Sequence, residues 1–131
     1  MGFLKGIFGK TNSEDKGDIA PLKWIDLEKM EQLDLLEEQS HYKTQLIFKH
    51  STTCGISRMV LGMFKEDYNF KNGEMELYYL DLHRFRDISN EVAQKFNVRH
   101  QSPQLLIIKN GAVVAHASHG AINDLALERY R

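Results

Sequence analysis

Cysteine is almost missing from this chain: its 131 residues contain one, Cys54. That excludes an intramolecular disulfide and a cysteine-rich zinc cage. A lone thiol fits a reducing compartment, and a cytoplasmic location is expected. Proline is nearly as scarce, with only Pro21 and Pro103. No run of about 18 apolar residues occurs, so neither a membrane span nor a membrane partner is expected. The opening Met1 to Lys10 is partly apolar. It has neither the long hydrophobic core nor the small-residue cleavage site of a signal peptide, and its glycines weaken any helix. Charge of one sign is lacking too. Interspersed, 17 basic and 18 acidic residues leave a net −1, with no field to attract nucleic acid. Gly6 and Gly9 lack the strand-loop-helix setting of a phosphate loop. The six histidines form no His-Glu-x-x-His pattern, and three residues along a strand put His116 and His119 on opposite faces, so no metal site is expected. Met30, Met59, Met63 and Met75 read as core filling rather than as ligands.

What remains is an ordinary soluble composition, 42% apolar and 27% charged, at the length of one compact domain. Residues 1–20 read as a flexible N-terminal extension and 21–131 as the folded domain. Trp24 and Ile25 suit an edge strand. Asp26 suits an N-cap for a helix carrying Leu27, Met30, Leu33 and Leu36 and ending near Ser40. Thr44 to His50 is a short apolar run for a strand buried on both faces at the sheet centre. After the polar turn Ser51-Thr52-Thr53, the spacing of Ile56, Met59, Val60 and Met63 predicts a second helix. Glu74 to Asp81 reads as a strand, Asp87 to Phe96 as a helix, and Asp81 to Asp87 as a solvated connection. Leu105 to Ile108 and Ala112 to Ala115, split by Asn110-Gly111, signal an antiparallel hairpin. Asn123 or Asp124 would cap a last helix through Leu125, Leu127 and Tyr130. The order is that of a layered α/β domain.

Cys54 therefore stands at a strand-to-helix junction. A free thiol ionises near pH 8.5, and unpaired N–H groups with the positive end of a helix dipole bring such cysteines to about 3.5–7.5, where exchange chemistry runs well. The hydroxyls of Thr53 and Ser57 are placed to donate to a thiolate, and Lys49 and His50 add nearby positive or polar groups. Small, polar neighbours at Thr52, Thr53, Gly55 and Ser57 suit a surface turn better than a core.

The stretch Leu46-Ile-Phe-Lys-His-Ser-Thr-Thr-Cys-Gly-Ile-Ser57, with Phe96-Asn-Val-Arg-His-Gln-Ser-Pro-Gln104 and Leu105-Leu-Ile-Ile-Lys-Asn-Gly111, resembles the monothiol bacilliredoxin family, also called the YtxJ family. The likeness spans about residues 22 to 127. It implies a thioredoxin-like α/β fold, a central mixed sheet flanked by helices. It further implies that Cys54 is the redox-active residue, that Pro103 is a cis-proline facing it, and that Ser102 and Pro103 present the incoming disulfide. The implied reaction is monothiol thiol-disulfide exchange that strips a low-molecular-weight thiol, bacillithiol, from S-thiolated proteins. Bacillithiol is then a co-substrate and no resident cofactor is needed; a monomer is expected. The family motif Lys-His-Ser-x-Thr-Cys-Pro-Ile-Ser has proline where this chain has Gly55. Cys54-Gly-Ile-Ser57 also resembles the Cys-Gly-Phe-Ser site of monothiol glutaredoxins, which use glutathione and can hold an iron–sulfur cluster between protomers. A noncatalytic thioredoxin-like adaptor is the third reading.

Overall fold

The computed structural model describes residues 22–131. The expected extension, 1–20, and Pro21 lie outside the described residues. Five strands form one sheet: β1 (Trp24–Asp26), β2 (Gln45–His50), β3 (Glu76–Asp81), β4 (Gln104–Lys109) and β5 (Ala112–Ser118). Their spatial order is β1-β3-β2-β4-β5. β3 runs parallel to both β1 and β2, whereas β4 is antiparallel to β2 and to β5. A mixed sheet results, and β2 at its centre is buried at all six positions. Its apolar run has the composition such a position requires. Asn110 and Gly111 turn the β4–β5 hairpin with φ of 52° and 81°, both in the left-handed region that a tight two-residue turn demands.

Among the described residues three helices cover the sheet: α1 (Glu31–Gln39), α2 (Gly55–Asp67) and α3 (Arg86–Lys95). On one face, Leu33 and Leu36 of α1 and Ile88 and Val92 of α3 pack on Ile47, Tyr78, Leu80, Leu106 and Ile108. On the other, Val60, Leu61 and Phe64 of α2 pack on Leu46, Phe48, Leu77, Leu105 and Ile107. Alternation along each strand sends neighbouring residues to opposite faces, which divides the core into two layers. Phe48, Phe64 and Trp24 meet in the α2 layer with ring centroids 5.5–6.3 Å apart. None of the described helices is long and apolar enough to cross a membrane.

Three sequence expectations are corrected. Asp26 is not a helix cap: it closes β1 opposite Tyr79, and α1 begins at Glu31 with no side-chain cap from Met30. Gln32 does the equivalent work, its Oε1 accepting the N–H groups of Glu28 and Lys29 and its Nε2 donating to the Asp26 carbonyl. Second, Ile56, Met59 and Met63 do not face the core. They are 54%, 60% and 45% exposed, and Met30 is 40% exposed, leaving Met75 as the buried methionine of the set. Leu61 and Phe64, with Val60 and Ser57, turn the opposite side of α2 inward. Third, the C-terminal segment forms two 3-10 turns, His119–Asp124 and Leu127–Arg129, rather than one helix. Leu125 between them is extended. This break lets Ile122, Leu125, Leu127 and Tyr130, unevenly spaced in sequence, all reach the α2-side core.

Candidate active site

β2 and β3 end together, His50 paired with Asp81, and the chain leaving β2 makes one tight turn before α2. The Cys54 N–H donates to the Ser51 carbonyl at 3.2 Å, closing the turn, and the Arg58 N–H donates to the Cys54 carbonyl at 3.1 Å, opening the helix. Cys54 is thus the N-cap residue, with the extended backbone (φ −108°, ψ 122°) that position requires. Its side chain makes no capping hydrogen bond to the first-turn N–H groups, and the residue sits at the positive end of a 13-residue helix. Cys54 is half-buried as a free thiol, between exposed Thr53 and Gly55.

Ser57, one turn into α2, is fully buried. Its Oγ accepts the Ser51 N–H at 3.1 Å and lies 2.8 Å from His50 Nδ1, so this hydroxyl is engaged with the turn and the imidazole. The His50 ring lies tilted against that of Tyr79, centroids 5.7 Å apart. Burial lowers the His50 pKa; the Asp81 carboxylate opposes this while Lys65 and Arg58 reinforce it, which keeps the ring neutral at neutral pH. Thr53 Oγ1 lies 3.3 Å from His83 Nε2 and 3.4 Å from Ser51 Oγ.

Lys49 goes the other way. It alternates with His50, so its side chain enters the α3 layer, where Nζ donates to the Ser89 carbonyl at 3.1 Å and lies 3.2 Å from His100 Nδ1. Lys49 is fully buried and has no carboxylate partner among the described residues. Burial lowers its pKa to about 8. The His100 pKa is lowered as well, by burial first and then by the charges of Lys49 and Arg86. The structure therefore brings Thr53, Ser57 and His50 together around the Cys54 turn and places Lys49 beneath the sheet.

The Ser102–Pro103 peptide bond is cis. The Pro103 carbonyl accepts the His119 N–H at 3.0 Å, tying this loop to the end of β5. Ser102 Oγ is buried without a hydrogen-bond partner. A Cβ built on Gly55 would touch only the Arg58 guanidinium, at 3.8 Å, so the first position of α2 has room for a side chain. Sequence reasoning missed His83 and His100. Neither belongs to a recognisable spacing, and His83 lies in the charged stretch read as a solvated connection. No group of three or more His, Cys, Asp or Glu side chains is arranged to hold a metal among the described residues.

The family described as monothiol bacilliredoxin BrxC matches residues 25–127. The chain belongs to that family. A solved structure described as a candidate oxidoreductase with a thioredoxin fold is 34% identical, covering 82% of this chain and 92% of its own, with a TM-score of 0.69. Two more distant likenesses bear on the fold alone. The thioredoxin pre-protein of Schistosoma mansoni is 23% identical over 84% of this chain and 100% of its own, TM-score 0.62. Thioredoxin NaTrxh from Nicotiana alata is 20% identical over 94% and 99%, TM-score 0.66. The bacilliredoxin chain is thus a thioredoxin-fold thiol oxidoreductase, with its one cysteine at the head of α2.

Proposed function

We propose that this bacilliredoxin removes bacillithiol from S-thiolated proteins through Cys54. The observation that carries the reading is the solitary thiol, half-exposed, at the N-cap of α2. The Cys54 thiolate attacks the small-thiol sulfur of the protein mixed disulfide. A Cys54–bacillithiol bond forms, the client S–S bond breaks, and the client leaves as a thiolate that takes a proton from water. With no second cysteine, the enzyme cannot resolve this bond internally. A second bacillithiol thiolate attacks it, releasing oxidised bacillithiol and regenerating Cys54.

Thr53, Gly55, Ser102 and Pro103 line the approach in this reading. Ser57 and His50 support the turn from within, and Lys49 contributes its charge from beneath. A cytoplasmic site of action suits this chemistry. To test the assignment, the protein is incubated with bacillithiol and glutathione mixed disulfides and the Cys54 adduct is weighed by mass spectrometry. Bacillithiol transfer that is lost in a folded Cys54→Ser variant is expected; retained transfer by that variant refutes it. Gly55 favours one rival, a glutathione-using iron–sulfur carrier, which visible absorption after anaerobic reconstitution would reveal. Slow alkylation of Cys54 with no transfer would mark a noncatalytic adaptor.

A further inference from the structure

We propose that His83 is a positioning residue for exchange at Cys54, acting through the hydroxyls of Ser51 and Thr53. The inference rests on the function assigned above to Cys54. Ser51 is the anchor of the cysteine turn, and each of its polar groups is engaged. Its N–H donates to Ser57 Oγ at 3.1 Å. Its carbonyl accepts the Cys54 N–H at 3.2 Å. Its Oγ lies 2.8 Å from His83 Nε2, and the same ring nitrogen is 3.3 Å from Thr53 Oγ1. Ser57 thus holds the turn from the buried side and His83 from the solvent side, where Thr52 and Thr53 are exposed.

His83 is exposed, but the backbone that carries it is anchored. The ring projects from the connection between β3 and α3, where Asp81 Oδ1 accepts the N–H groups of His83 at 3.2 Å and Arg84 at 3.4 Å. The Leu82 N–H donates to the His50 carbonyl at 3.2 Å, so the connection is pinned to the end of β2, from which the cysteine turn departs. His83 therefore references the turn to the adjoining ends of β2 and β3. Disulfide exchange needs the attacking sulfur in line with the bond it breaks, and small displacements of a reacting group are costly in rate. A residue that removes slack from the turn raises the exchange rate without touching the substrate.

The test compares His83→Ala and His83→Gln in the full chain, since a glutamine amide nitrogen can reach the hydroxyls that Nε2 reaches. Single-turnover exchange with bacillithiol and glutathione mixed disulfides, Cys54 alkylation by iodoacetamide, and the thermal midpoint are measured for each. Loss of a hydrogen bond of this kind should slow exchange by about three- to tenfold in His83→Ala. His83→Gln should recover most of that rate although both variants melt alike. An alanine variant at the unaltered rate overturns the proposal, as does a glutamine variant as slow as alanine. If the unaltered protein exchanges with neither disulfide, the function of Cys54 fails on its own. The alkylation rates then decide His83: slower alkylation in alanine with recovery in glutamine supports it, and equal rates overturn it.

Discussion

Restoring the family's proline at the head of α2, Gly55→Pro, should stabilise the domain. Gly55 is the first residue of the helix, where an N–H has no intrahelical acceptor and proline's fixed φ already suits the turn. The residue before a proline is pushed toward extended backbone, and Cys54 already has φ −108° and ψ 122°. A Cβ at this position would meet only the flexible end of Arg58, at 3.8 Å. With no native strain to offset, the gain is the entropy the unfolded chain loses, about 0.4–1 kcal/mol. For a domain of this length that corresponds to a rise of about 2–5 °C in the thermal midpoint. The melt is read by circular dichroism alongside single-turnover exchange, which should persist. A lower midpoint would show that the backbone at Gly55 is not proline-compatible. A stable variant that no longer exchanges would show that the Gly55 N–H serves the sulfur, refuting the view that this donor is idle.

Two further outcomes follow from the buried polar contacts. Lys49 has its pKa lowered by burial from 10.5 to about 8, so between those pH values the unfolded chain keeps a proton the folded protein has released. Its contribution to stability must therefore rise with pH across that window. Subtracting the denaturation curve of Lys49→Met isolates it, and a flat or falling difference refutes the assignment. Gln32→Ala removes the acceptor of two N–H groups and a donor to Asp26, and should cost about 1 kcal/mol, as the loss of an N-cap does; an unchanged urea midpoint would show that water replaces those bonds.

Local pattern carried the architecture well where one residue's neighbours along the chain decide its state. The apolar run of β2 and the Asn110-Gly111 turn are of this kind. Helix ends and faces were less legible. Asp26 has the chemistry of a cap, but strand pairing with β3 claims its backbone and the glutamine six residues on takes over. Ile56, Met59, Val60 and Met63 have helical spacing, but of these only Val60 turns inward, on the side of α2 that it shares with Leu61 and Phe64. Only the presence of the sheet chooses that side.

The candidate site divides along the same line. The lone cysteine, the polar turn before it, the helix after it and the later Ser-Pro are all contiguous motifs, and the sequence alone determined the α/β plan and the position of the thiol at a strand-to-helix junction. Tertiary structure decided what surrounds that thiol. His50 and Lys49 are adjacent in sequence, yet the pleat sends one against Ser57 and the other against His100, 51 residues away. His83 reaches Ser51 across a separation of 32 residues because parallel pairing ends β2 and β3 side by side. Hydrogen bonds act over a few ångströms in space irrespective of distance along the chain, so only the folded sheet could bring these partners together.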